Sequence, residues 1–379
     1  MPRLLKITVT SLLLLLLLTT ACLNDSPKEI DLVDEAWQVV LEEFVDQQNI
    51  DNEDLAEGAI RGLIEALEDP YTAYLSPEQQ SFSSSDLEGS FGGIGAIIMM
   101  KDDLLTVVSV FDGSPAQQSG IKSGDKLLEA DGQSLSGMNL YEGVLKIRGK
   151  QGTKVKLLVL HPDEDTPVEI ELTRAKIEIP SIQWQMLPDN IAHIQIDEFS
   201  ERTGIQLQSA LEESTSQGVT GIILDLRYNP GGMVDSAVDV TSQFIEEGII
   251  LYALDSDDNR TEWLAKSGGL ALDIPLAVLV NGHSASASEV VAGALQDYNR
   301  GAIIGVKTFG KGSMNRVREL SNGGALYITF ARWYTPNGRQ IDEEGISPDK
   351  EVEITAKDIE NGRDPQLERA IEYLKNGSI

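Results

Sequence analysis

The chain has 379 residues, 41% hydrophobic and 24% charged, with a formal net charge of −31, one cysteine and three histidines. These proportions exclude disordered and fibrous classes, and the length allows two or three domains, each with its own core. So negative a charge excludes the basic footprint that nucleic-acid binding requires, and the few cysteines and histidines offer no metal-ligand spacing.

Arg3 and Lys6 precede an apolar run containing Leu12 to Leu18, which ends at Thr19-Thr20-Ala21-Cys22. This is a charged head, an apolar stretch too short to span a bilayer comfortably, and a small-residue cleavage site. The layout over residues 1–22 resembles a bacterial lipoprotein signal, although Thr19 stands where such signals more often carry Leu. It implies lipidation at Cys22, export, and lipid anchoring to the outer face of the membrane in the cell envelope. A mature chain with no other cysteine fits an exported protein without disulfides.

Residues 23–80 read as an N-terminal helical region. Leu32, Ala36, Val39, Val40 and Phe44 share one helical face, and Leu55, Ala59, Ile60, Leu63, Ile64 and Leu67 share another. Asn49 to Asn52 is turn chemistry, Asp69-Pro70 is expected to end the second helix, and Ser81 to Asp86 reads as a linker. The two apolar faces suit packing on a core or pairing with a second copy.

Over residues 88–176 the period changes to that of short strands, Ile94 to Met100, Leu104 to Phe111, Lys126 to Ala130, Val155 to Leu160 and Val168 to Leu172. One helix starts at Ser114-Pro115-Ala116 and another covers Leu140 to Ile147. Phe91-Gly92-Gly93-Ile94-Gly95-Ala96, with Ser114-Pro115-Ala116, Gly120-Ile121, Gly124-Asp125 and Asp131-Gly132, resembles the PDZ modules of exported proteases. The resemblance implies that Gly93, Ile94, Gly95 and Ala96 present backbone groups to a peptide C-terminus, which adds as a strand. Leu140 and Val144 either line the pocket for its apolar side chain or only pack the core.

From residue 177 to 356 buried strands alternate with helices, as in α/β folds, and residues 357–379 form a C-terminal helix. Gly221 to Leu226 and Leu276 to Val280 are continuous apolar runs, each followed by a turn and a helical pattern. Sites in such folds gather where strands end and helices begin.

Three stretches of this region can carry chemistry. Asn229-Pro230-Gly231-Gly232 is at least a sharp turn, and its glycines can also aim N–H groups at an oxyanion. Ser286-Ala287-Ser288-Glu289 is either a capping box or a serine nucleophile at a helix N-terminus, with Ser284 and Ser288 as rivals. Phe309-Gly310-Lys311-Gly312 sets a lysine between glycines, and a lysine can replace histidine as the base for a serine. His283 lies near the serines but adjacency seldom gives catalytic geometry; His161 and His193 read as surface or structural. Gly305-x4-Gly310-Lys311-Gly312 is not a phosphate-binding loop, because Gly312 occupies the magnesium-binding Ser/Thr position.

Taken in order, Asp69-Pro70-Tyr71-Thr72 with Tyr74-Leu75, the PDZ series, Asn229 to Gly232, Ser284 to Glu289, Thr308 to Gly312, Tyr334 to Gly338 and Gly345 to Asp349 resemble the C-terminal processing peptidases. The resemblance covers nearly the whole mature chain. It implies a multidomain α/β fold: a ClpP/crotonase-like protease core, an inserted PDZ domain and an N-terminal helical region. It also implies a serine endopeptidase without a cofactor, in which Ser286 is the nucleophile, Lys311 the base, and the N–H groups of Gly232 and Ala287 the oxyanion hole. Lys311 must then be neutral, so its pKa has to fall by roughly 3 pH units from ~10.4. Many members of the family carry Gln four residues after the lysine, hydrogen-bonded to it. Here Asn315 keeps the amide with a reach shorter by about 1.5 Å. Substrates implied are unfolded or tagged proteins with apolar C-termini, and in the family PDZ occupancy often controls access to the catalytic tunnel. The rival reading is a lipid-anchored PDZ adaptor with a weakened protease core.

Overall fold

The computed structural model describes residues 28–77, 79–80, 90–101, 104–138, 140–162 and 164–377. The signal segment with Cys22 and the expected Ser81–Asp86 linker lie outside the described residues. The chain divides into two units, Met1–Ala66 and Leu67–Ile379.

The first unit holds α1 (Lys28–Glu43) and α2 (Asn52–Glu65). The break between them matches the turn chemistry, and Asp51 caps α2 by accepting the Glu53 and Asp54 N–H groups at 2.8 and 3.4 Å. Leu32, Val39 and Val40 of α1, Phe44 just after it and Leu63 of α2 are exposed. Among the described residues, no helix is long and apolar enough to cross a membrane.

The second unit begins with a departure from expectation. Residues 69–75 do not continue a helical pattern. Asp69 accepts the Tyr71 N–H and the Thr72 hydroxyl, at 3.1 and 2.6 Å, which curls the segment into a turn. Ala73–Leu75 then becomes a strand, β1. Three residues are too few to show a strand period, and the partner strand lies some 250 residues away, so local pattern could not reveal it.

The module that follows comprises β2 (Ser90–Gly93), β3 (Ala96–Lys101), β4 (Leu104–Val110), α3 (Pro115–Gln118), β5 (Lys126–Ala130), β6 (Gln133–Ser134), α4 (Leu140–Ile147), β7 (Lys154–Leu160), β8 (Val168–Thr173) and β9 (Ala175–Glu178). Its sheet runs β3-β4-β5-β7-β8, with β6 on β5, while β2 and β9 form a separate ribbon. Leu105, Leu127, Val155 and Leu157 fill its core. β3 is an edge strand, and α4 seals the sheet so closely that a Cβ on Gly143 would stand 2.1 Å from Leu105.

The remaining elements are β10 (Ile182–Leu187), β11 (Ile191–Ile196), α5 (Thr203–Ser216), β12 (Gly221–Asp225), α6 (Val234–Ser242), β13 (Ile249–Asp255), β14 (Arg260–Leu264), β15 (Leu276–Val280), α7 (Ala287–Asp297), β16 (Ala302–Gly305), β17 (Ser313–Glu319), β18 (Ala325–Tyr334), β19 (Lys350–Glu351), α8 (Ala356–Glu360) and α9 (Pro365–Asn376). One sheet has the order β10-β11-β12-β15-β16-β19, parallel from β11 to β19. Residues of α5, α6 and α7 pack with one of its faces, and α9 closes the other through Ala370, Leu367 and Leu374. A second sheet, β1-β18-β13-β14 with β17 on β18, takes β1 from upstream of the β2–β9 module. That module is therefore an insertion in the α/β core. Buried strands β12 and β15 have every residue covered, which is why they read as unbroken apolar runs.

Asp225 ends β12 and is almost fully buried. It accepts Arg227 Nε and Nη2 at 2.9 and 2.7 Å and meets His193 Nε2 at 2.9 Å, while Arg227 continues to Asp364 at the start of α9. Burial pushes its carboxyl up, but bonds from His193 and Arg227 outweigh that and hold it below the usual range. Its stabilisation is therefore fully present at neutral pH and is lost only as pH falls through that lowered folded value. Asp225→Asn leaves the Arg227 charge without its buried partner, and urea unfolding should show a loss of about 3–5 kcal/mol.

Candidate active site

Three loops leave the carboxyl ends of neighbouring parallel strands β12, β15 and β16 and meet over one point. The first carries Asn229 to Gly232. The buried Asn229 side chain donates to the Ile196 carbonyl and accepts the Gly231 N–H, both at 2.8 Å. Its own carbonyl accepts the Ala285 N–H and the Ser288 hydroxyl, both at 3.0 Å, which ties this loop to the second. Gly231 and Gly232 have φ of 107° and 139°. A Cβ on Gly231 would stand 2.6 Å from Ser286 Cβ, and one on Gly232 would stand 2.2 Å from the Phe199 carbonyl oxygen. Both glycines are thus needed for space as well as for backbone freedom.

The second loop carries the serines. Ser284 accepts the Asn281 N–H and donates to the Leu226 carbonyl, at 2.9 and 2.8 Å. Ser288 is spent on Asn229, so both rivals of Ser286 are structural. Ser286 has φ 57° and ψ −117°, a strained conformation for a residue with a Cβ, of the kind that clusters at functional sites and costs about 1–3 kcal/mol. Half of the expected capping box is present: the Glu289 carboxylate accepts the Ser286 N–H at 2.8 Å. The return bond runs from the Glu289 N–H to the Ser286 carbonyl at 2.9 Å. Capping and nucleophile readings are therefore compatible. Among the described residues, neither the Gly232 nor the Ala287 N–H is committed to an acceptor.

The third loop is bound to the second by the same carboxylate. Glu289 Oε1 accepts the Thr308 hydroxyl and the Gly310 N–H at 2.6 and 2.7 Å, and Oε2 also accepts the Lys311 N–H at 2.9 Å. Glu289 is 0% exposed. Burial raises its pKa, and the bonds from Thr308, Gly310, Ser286 and Lys311 pull it back. Burial also lowers the pKa of Lys311, with Asp69 opposing. The Lys311 ammonium lies 5.2 Å from the Tyr71 ring centroid and 5.9 Å from that of Tyr327. Among the described residues it has no hydrogen-bond or ion-pair partner, Ser286 Oγ included.

Asn315 does not reach Lys311 in this arrangement. Its amide donates to the Tyr71 carbonyl and the Thr329 hydroxyl, at 2.9 and 3.0 Å, with β17 shifted in register between Met314 and Asn315. His283 stacks on Tyr228 at 5.4 Å between ring centroids, and His161 and His193 face Asp125 and Asp225 as structural groups.

In the inserted module, a groove of about 530 Å³ is lined by Ile94, Gly95, Ala96, Leu140 and Val144. Gly93 is not among its lining residues; it pairs with Ala175 in the β2–β9 ribbon, and its missing side chain makes room for the Phe91 ring. Phe91, Phe111, Ile98 and Ile147 are also among its lining residues. Sequence reasoning missed these four, although Ile98 and Ile147 sit at the strand and helix periods of residues it did name.

Residues 190–352 match the model of peptidase family S41, residues 92–172 that of the PDZ domain, and residues 18–79 that of the activating protease CtpB N-terminal domain. The chain belongs to peptidase family S41. It is 35% identical to the carboxy-terminal processing protease CtpA of Bacillus subtilis over 86% of this chain and 69% of that one. It is 38% identical to the carboxy-terminal-processing protease of Bartonella bacilliformis over 84% and 74%. The solved photosystem II D1 C-terminal processing protease superposes with TM-score 0.51 and 29% identity, covering 86% of this chain and 94% of that one. A putative S41 protease from Bacteroides fragilis shares the fold, with TM-score 0.52 and 17% identity over 90% and 97%.

Glu289→Gln tests the clamp. An amide in that place sets its NH2 against donors already pointing inward and leaves at least two of them buried without an acceptor. We expect kcat/KM to fall on the order of 100-fold, with a lowered Tm. Activity within threefold of the parent would show that the loops keep their register without this carboxylate.

Proposed function

We propose that this S41 peptidase is an endopeptidase of the cell envelope that recognises protein C-termini in its PDZ groove and cuts by a Ser-Lys mechanism. The observation that carries the reading is the convergence at Ser286. A strained serine is packed against Gly231 of the Asn229 loop, the N–H groups of Gly232 and Ala287 on either loop are uncommitted, and one carboxylate fixes the serine backbone to that of Lys311. Neutral Lys311 takes the Ser286 proton as Oγ attacks the peptide carbonyl. The tetrahedral oxyanion is held by the Gly232 and Ala287 N–H groups. Lys311 then protonates the leaving amine; neutral again, it takes a proton from the water that attacks the acyl-enzyme and passes it to Ser286 Oγ as the ester bond breaks, which frees the carboxylic acid product and restores both side chains. Burial, which lowers the Lys311 pKa, favours the neutral amine. The lysine and serine side chains must close on each other when substrate binds, since catalytic hydrogen bonds are often long in the free enzyme.

The apolar lining of the groove suits an apolar C-terminal residue, and the open edge of β3 suits an added strand. Lipidation at Cys22 anchors the chain to the outer face of the membrane on this reading. The exposed apolar faces of α1 and α2 provide a surface on which two copies could pair.

Casein and peptides with apolar C-termini, incubated with the chain, should be cleaved. Ser286→Ala and Lys311→Ala should each reduce cleavage to background, and retained cleavage in either would overturn the dyad. In the parent, kcat/KM should rise with pH through a titration below the ordinary lysine range, because only the neutral amine can accept the proton. Val144→Arg should weaken binding of an apolar-ended peptide at least tenfold, measured by calorimetry in the Ser286→Ala background. Unchanged affinity there would place the peptide elsewhere.

A further inference from the structure

We infer that the faces of Tyr71 and Tyr327 form a two-sided aromatic seat that positions the Lys311 ammonium, and that Asn315 acts on the base indirectly, by fixing Tyr71. The inference rests on the reading of Lys311 as the base, and adds the two residues that hold it.

Both rings lie within the ~6 Å at which a cation is attracted to an aromatic face. With no hydrogen-bond acceptor for the ammonium among the described residues, these faces and the more distant Asp69 carboxylate are what it has in place of water. The rings belong to different segments. Tyr327 is on β18, directly opposite Ala73 of β1. Tyr71 stands two residues before β1 and is held at both ends of its backbone, its N–H by Asp69 at 3.1 Å and its carbonyl by the Asn315 amide at 2.9 Å.

Around these anchors the network is closed. The Thr72 hydroxyl donates to Asp69 and accepts the Thr329 N–H at 3.1 Å, and the Thr329 hydroxyl accepts from Asn315. Asn315 is therefore employed on the seat. Its amide reaches the Tyr71 carbonyl at 2.9 Å.

The charged and titratable groups facing this position are few. Asp69 favours the cation. Glu289 and Asp342 accept the neighbouring Lys311 and Gly312 N–H groups, and Arg332 pairs with Asp342 at 2.9 Å. Burial raises the pKa of both tyrosines, so at neutral pH they remain uncharged phenols and contribute ring faces only.

A seat of this kind stabilises the protonated lysine, so removing a ring must lower the pH at which Lys311 titrates. Tyr71→Leu and Tyr327→Leu keep apolar bulk and remove the ring quadrupole. Each should shift the acid limb of kcat/KM downward by about 0.4–1 pH unit, whereas Tyr71→Phe should leave it within about 0.2. The Lys311 titration is also read without turnover, by 13C NMR of 13C-lysine-labelled full-length Ser286→Ala protein, with the signal assigned by its loss on Lys311→Ala. The same downward shift is expected there. Asn315→Ala should change the titration in the parent but add nothing in the Tyr71→Leu background. Limbs and NMR titrations that stay in place in both leucine variants would reduce the rings to space-filling. An upward shift would reduce them to a shield against water; either overturns the seat. NMR shifts as expected, beside full activity of Lys311→Ala, would overturn the Ser-Lys reading and leave the seat standing.

Discussion

The site depends on one buried carboxylate. Glu289 sits in the first turn of α7 with no exposure, and its two oxygens accept four hydrogen bonds, from Ser286, Thr308, Gly310 and Lys311. An isolated carboxylate there would be costly, which is why its pKa is raised; four donors and the N-terminal end of a helix compensate. The compensation has a geometric result. The strand β15 loop and the strand β16 loop can satisfy the carboxylate only at one mutual register, and that register ties the backbone of Ser286 to that of Lys311 through one oxygen. Three of the four bonds come from backbone N–H groups, so among the donors the register depends on one loop side chain, the Thr308 hydroxyl, and it uses neither the Ser286 nor the Lys311 side chain.

Asn229 performs the same service for the first loop. Its four bonds lock the Gly231-Gly232 turn against the serine loop, and the two missing Cβ atoms let that turn approach to contact distance. Strain at Ser286 is consistent with this over-determination, since a positive φ with a Cβ persists only where the surroundings leave no alternative. Polar groups thus do the fixing, in a region where apolar packing alone would allow the loops to slide. The apolar core beneath, from Ile194, Leu224, Val278 and Ile303, supplies the rigid strand ends from which the loops start.

Much of this was legible locally. Ser286-x-x-Glu289 before an apolar helix already implied a bond between the two residues, and Gly-Lys-Gly set a lysine apart as a candidate base. The buried strands declared themselves as continuous apolar runs, and the groove residues Leu140 and Val144 by helical spacing. What the sequence hid is what depends on pairing between distant segments. Nothing local to Asn315 says that its amide turns to a carbonyl 244 positions away, and nothing in Ala73-Tyr74-Leu75 shows that it pairs with β18. The pairing of Gly93 with Ala175 was hidden for a related reason. A glycine-rich stretch marks a close approach without saying to what, and here the neighbour is the Phe91 ring.

The chemistry of a lysine base explains why its surroundings should be mixed in character. A purely dry pocket lowers the pKa and makes the amine neutral, but it penalises the cation that forms when the amine takes the serine proton by the same amount. Water would relieve that penalty and would also restore the ordinary lysine pKa. Aromatic faces lie between these extremes: they exclude water, yet their negative quadrupole meets the ammonium without a formal charge to trap it as a carboxylate would. Asp69, held ionised below its usual range by Thr329, Thr72 and the Tyr71 N–H despite its burial, adds a weaker pull from further off. On the Ser-Lys reading, burial lowers the Lys311 pKa while Asp69 opposes it, and a base is most effective when its pKa approaches the working pH.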